Sequence, residues 1–94
     1  MNYITPNQSI MVTKEFFDEF TESMSKMSVE SLVEDFNKQV GSRAWTSIRA
    51  IHDRVLIDTL IAKGVDVSAV YDGASISFAR KIALNADKSK VVLA

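Results

Sequence analysis

Residues Asp66–Leu84 read DVSAVYDGASISFARKIAL. Val67, Ala69 and Tyr71 alternate ahead of Asp72-Gly73, and Ala74, Ile76 and Phe78 alternate after it. Alternation with period two marks a half-buried strand. Asp-Gly between two such runs favours a tight hairpin, because both central residues of a type I′ turn need positive φ. A two-residue loop would pair Tyr71 with Ala74, Ala69 with Ile76 and Val67 with Phe78, which sets all six on one face. The second strand continues through Arg80, Ile82 and Leu84. A polar turn, Asn85–Lys90, then leads to Val91–Leu93. A loop over 86–89 would pair Leu84 with Val91 and Ile82 with Leu93, again on that face. The expected strands are 66–71, 74–84 and 90–93.

The same stretch also fits two short helices turning near Gly73–Ser75, with Ile76, Phe78, Ala79, Ile82 and Ala83 as a helical face. That pattern would be a helix-turn-helix over 66–84, with Ser77–Leu84 as the reading helix. Asp72-Gly73 favours the hairpin, since glycine sits awkwardly for a standard turn of the helical kind.

Upstream the period changes to that of a helix. Ser42–Lys63, SRAWTSIRAIHDRVLIDTLIAK, lies between Gly41 and Gly64 with no internal proline or glycine. Ser42 is the expected N-cap and Gly64 the expected C′ residue. At about 100° per residue, Ala44, Trp45, Ile48, Ile51, Val55, Leu56 and Ala62 share one face with His52 and Thr59. Ala50, Ile57, Leu60 and Ile61 form a second stripe on the far side. Two stripes predict a helix buried between layers, or one with a surface left for a partner. Arg49–Asp53 and Arg54–Asp58 have the i,i+4 spacing of ion pairs.

Two shorter helices precede it. Thr13 is the expected cap of a helix over 13–27, with Phe16, Phe17, Phe20, Met24 and Met27 on its core face. Ser28 is the expected cap of a helix over 28–40, with Val29, Leu32, Val33, Phe36 and Val40 in a narrow arc. Short connections fold consecutive helices back as neighbours. Residues 1–12, with the only proline at Pro6, are expected to be an irregular lead-in.

The expected fold is therefore a single α+β domain over 1–94, with three N-terminal helices packed on a C-terminal three-stranded antiparallel β-meander. The alternative is a mostly α chain with the helix-turn-helix. A chain of 94 residues with 47% hydrophobic and 24% charged residues can bury a real core. Net charge is −1, so no strong field favours nucleic acid or an anionic membrane. The absence of cysteine excludes disulfides, cysteine–zinc sites and thiol nucleophiles. MNYITPNQSIM has no basic or apolar region of a signal peptide, and no run reaches membrane-span length. A soluble, cytoplasmic protein with no membrane contact is expected.

Few residues suggest chemistry. His52, the only histidine, is a candidate ligand contact or general base on an otherwise apolar face. Asp53 is not expected to orient it, because consecutive helix residues do not face each other. No metal-ligand spacing and no phosphate-binding glycine loop is present. No catalytic residue, cofactor or metal is expected, and the chain is read as non-enzymatic. Arg80, Lys81, Lys88 and Lys90 form a basic region beside the second turn and are candidate nucleic-acid contacts, though without interleaved aromatics. Ile57 and Ile61 on the long helix, with Ser75 and Ser77 on the small-residue face of the sheet, are candidate protein contacts. These features predict a small protein-interaction module, homodimeric or bound to another protein. A small nucleic-acid-binding accessory protein is the alternative.

Overall fold

Proline is favoured in the first turn of a helix, because its missing N–H would be unpaired there anyway. The first helix begins on that residue. The computed structural model describes the backbone of residues 6–42 and 46–94, and the side chains of 14–42 and 46–94. Within these bounds α1 spans Pro6–Ser25, α2 Val29–Gln39 and α3 Ser47–Ala62, followed by β1 Ile82–Leu84 and β2 Val91–Leu93. The expected lead-in is thus helical from Pro6, and residues 1–5 lie outside the described residues.

Ser28 caps α2 as expected, its Oγ accepting from the Ser31 N–H at 3.1 Å. The cap of α3 is Thr46 and not Ser42: Thr46 Oγ1 accepts from the Arg49 N–H at 3.1 Å. Both residue types make good caps, so composition alone did not choose between them. Ala44 and Trp45, assigned above to the apolar face, lie outside the described residues. At the other end Gly64 takes φ +85°. Its N–H donates to Ile61 O at 2.9 Å and the Val65 N–H donates to Leu60 O at 3.0 Å, the paired bonds of a Schellman ending.

The helices pack side by side. Phe20 meets His52, and Ser25 O accepts from Lys63 Nζ at 3.0 Å, so α1 and α3 run parallel. His52 meets Asp35 and Arg49 meets Gln39, so α2 runs against α3. Val55, Leu56, Ile57 and Leu60 of α3 are all buried, as are Leu32, Val33 and Phe36 of α2 and Met24 of α1. Val65, Val67, Val70, Ile82 and Val91 complete this core from the C-terminal region. Both stripes of α3 are therefore used, and Ile57 lies in the core instead of on a partner surface. Phe17, expected in the core face of α1, is 41% exposed.

The C-terminal region corrects the expected meander: two strands form, not three. β1 and β2 are antiparallel in the expected register, Ile82 with Leu93, Ala83 with Val92 and Leu84 with Val91. Residues 66–71 do not make a strand. The Asp66 carboxylate accepts from the Ser68 N–H at 2.8 Å, and Val67 O accepts from Val70 and Tyr71, which curls the segment into a single turn. At Asp72-Gly73 the chain does reverse, with Gly73 at φ +97°. Asp72 Oδ1, however, accepts from both the Ala74 and Ser75 N–H groups, at 2.9 and 2.8 Å. That local acceptor holds a wider turn, so Tyr71 bridges Ile76 where the two-residue loop required Ala74. No helix forms over 66–84 either, so the helix-turn-helix is absent.

Two long-range ties hold this region. Asp66 bridges Lys90 in parallel, its N–H donating to Ser89 O at 2.8 Å and its O accepting from the Val91 N–H at 2.9 Å. On the far side of the hairpin, the Asn37 side chain of α2 grips β1. Its Nδ2 donates to Ile82 O at 2.9 Å and its Oδ1 accepts from the Ile82 N–H at 2.8 Å. A side-chain amide here takes the place of a third strand at an edge that would otherwise be open. Phe36 stacks on Phe78 at 4.6 Å between ring centroids, which fixes the irregular 77–81 run against α2. Among the described residues no helix is long and apolar enough to cross a membrane.

Candidate functional site

The densest polar cluster lies where α2 crosses α3. His52 Nε2 is 3.0 Å from Asp35 Oδ2, and His52 Nδ1 is 3.2 Å from Asp53 Oδ1. Arg49 Nε is 3.5 Å from Asp53 Oδ2 and donates to Gln39 Oε1 at 3.0 Å, while Arg49 Nη2 donates to Gln39 O at 3.1 Å. The Phe20 ring covers the imidazole edge-on at 5.3 Å, and the Arg49 guanidinium sits 5.6 Å from the Phe78 ring centroid. Asp53 is almost wholly buried, at 1% exposure. A buried carboxylate is tolerated only when paired, and here two cations flank it.

The Asp53 contact corrects the expectation from helical spacing. The two side chains leave the helix about 100° apart, but Nδ1 is the ring nitrogen nearest the backbone, so a neighbouring carboxylate reaches it by leaning sideways. Hydrogen bonds to Asp35 and then Asp53 raise the His52 pKa from 6.5 to about 9, against the opposing effect of burial. Near neutral pH both ring nitrogens therefore donate, and His52 is a fixed cation instead of a free base. Asp35 and Gln39 were not singled out from sequence. Their only signal is an i,i+4 spacing beside the apolar arc of α2.

The other candidates are scattered. Ile61 is 48% exposed near the end of α3. Ser75 and Ser77 are exposed on the turn after Tyr71, where the Ser77 N–H donates to Val70 O at 2.8 Å. The basic region is divided between the two ends of the hairpin. Arg80 Nη2 donates to Ala94 O at 2.9 Å at the open end, where Ala94 also pairs with the Lys81 carbonyl. Lys88 and Lys90 lie in the closing turn, roughly 13 Å further along at about 3.3 Å per residue, and Lys88 Nζ meets Glu30 Oε1 at 3.1 Å. Lys90 lies near Asp66, whose carboxyl is held below its usual range chiefly by the Ser68 N–H and to a lesser degree by Lys90. Among the described residues no cluster of acidic and histidine side chains has the geometry to hold a metal ion.

A groove missed in the sequence runs between α1 and α3. Phe17 and Thr21 line one side, Val55, Asp58, Thr59 and Ala62 the other, around a cavity of about 260 Å³. Its signal was present in the helical face of α1, which was assigned whole to the core. Compared with protein-family models, curated proteins and solved structures, the chain matches none.

Proposed function

We propose that this chain is a small, cytoplasmic, non-enzymatic protein-interaction module that pairs with a second copy of itself. The observation behind this reading is Phe17, 41% exposed at the edge of the apolar α1–α3 groove. Large exposed aromatics beside an apolar groove are interface anchors in many complexes. In a two-fold pair each Phe17 would enter the groove of the other copy, and the two parallel α1–α3 pairs would form a four-helix bundle. Ile61, 48% exposed on α3, adds apolar surface near the C-terminal end of that helix. The non-enzymatic part rests on His52, whose two carboxylate contacts keep it protonated near neutral pH.

Sedimentation equilibrium tests the pairing. The native chain is expected at twice its 10.4 kDa mass. Phe17→Asp and Ile61→Asp should run at single-chain mass with an unchanged circular dichroism spectrum. Ile57→Asp, at a fully buried position, should unfold the chain instead. A single-chain mass for the native protein at every concentration would remove the proposal. The cytoplasmic part of the proposal is supported by the cysteine-free composition, which suits a reducing compartment.

A further inference from the structure

α1 has 20 residues and is about 30 Å long. Phe20 meets His52, and α3 starts five residues before His52, so α3 begins level with about residue 15 of α1. Residues 6–14 therefore run past the start of α3, by about 13 Å. Helices draw most of their stability in proteins from packing on a neighbour, so this overhang calls for one. Lys14, Phe17, Thr21 and Ser25 follow one another at steps of three and four, which sets them in one stripe. Phe17, Thr21 and Ser25 line the α1–α3 groove, and exposed Lys14 extends that line toward the overhang. Asp18 flanks the stripe beside Phe17. Lys14 and Asp18 have the spacing of an ion pair, yet both are exposed and neither has an ion-pair partner among the described residues.

We propose that the two copies of the pair set out above meet through antiparallel α1 helices, with the two-fold axis between Phe17 and Asp18, so that the overhang of each copy lies over the groove of the other. This rests on the self-pairing reading and fixes its geometry. Lys14 of one copy then comes level with Thr21 of the other, and the overhang continues past its Ser25, along the α1 side of the groove. Each Phe17 stands at the mouth of the other copy's groove. Charge decides the direction. In the antiparallel pair Lys14 stands three residues, about 4.5 Å, from the level of the other copy's Asp18, and the same contact recurs across the axis. Two cations and two carboxylates without partners in the single chain are thereby matched. Parallel packing would lay overhang on overhang, with Lys14 level with Lys14 and Asp18 level with Asp18, which sets like charges together.

The chain has no cysteine, so introduced thiols report on their own contacts. Full-length Lys14→Cys and Thr21→Cys chains are mixed and oxidised, and the disulfide-linked products are weighed by mass spectrometry. The mixed product should dominate, because these two positions face each other within disulfide reach. Thr21→Cys alone should stay unlinked, since its two copies stand about 10 Å apart along the helices. Charge exchange gives a second reading by sedimentation. Lys14→Asp should weaken pairing about tenfold, and adding Asp18→Lys to it should restore the native affinity. A single-chain mass for the native protein at every concentration removes the self-pairing and this geometry with it. A native pair in which Thr21→Cys links to itself, or in which the mixture yields no mixed product, overturns the antiparallel arrangement and leaves the self-pairing standing. Undiminished pairing of Lys14→Asp would overturn it as well.

Discussion

His52 donates to one carboxylate on the neighbouring helix and to another on its own, and this sets a pH dependence. Its folded pKa of about 9 lies above the ordinary 6.5. The stabilisation is therefore complete below about pH 6.5 and is lost as pH rises through about 9. The melting temperature should fall across that interval, and His52→Gln should flatten the fall. NMR titration of the imidazole gives the direct check: a midpoint near 6.5 would mean that the Asp35 contact does not persist in solution. At this scale the sequence exposed His52, as the one ionisable group on an apolar face. It did not expose Asp35, because the register between two helices is absent from either helix's own periodicity. Asp53 was seen only as the partner of Arg49, since spacing rules describe where side chains leave a helix and not where they bend.

Among elements, the termini show what local chemistry does and does not decide. Gly64 was readable as a helix stop because positive φ at C′ favours glycine. Ser42 and Thr46 were equally good caps in composition, and only the observed bond to Arg49 separates them. Asp72-Gly73 was rightly a reversal, but a side-chain acceptor at Asp72 widened it and removed the strand pairing that a shorter loop would have imposed. The short strand pair survives because its apolar alternation and its loop agree on one register. Its inner edge depends on Asn37. Asn37→Ala removes both bonds to Ile82 and leaves a partly buried backbone pair short of partners. A loss of about 1–3 kcal/mol is expected, read as a lower denaturant midpoint at unchanged slope. Hydrogen exchange at Ile82 should quicken in step. An unchanged midpoint would show that water replaces the amide without cost.

For the whole molecule, the α+β class and the sequence of three helices before the sheet were visible in the change from a period near 3.6 to a period of two. The third strand was not, because alternation in 66–71 reports only that every second residue faces inward. A tight turn buries Val67 and Val70 just as well. The surface left exposed was equally hidden. Periodicity finds the apolar side of α1 but does not reveal that Phe17 is left partly uncovered, which is the basis of the proposed pairing.

The grip of Asn37 on Ile82 joins residues 45 positions apart, and this bears on the order in which the molecule assembles. Closing so long a loop is an entropic cost met before its contacts form. α1 and α2, by contrast, meet across a connection of three residues, Lys26–Ser28. The helices should therefore associate first and the hairpin should dock last, after the rate-limiting barrier. Asn37→Ala should then leave the refolding arm of a chevron almost unchanged and raise the unfolding arm without altering its slope. The same amide that closes the sheet edge would thus set how long the folded molecule lasts, and have little influence on how fast it forms.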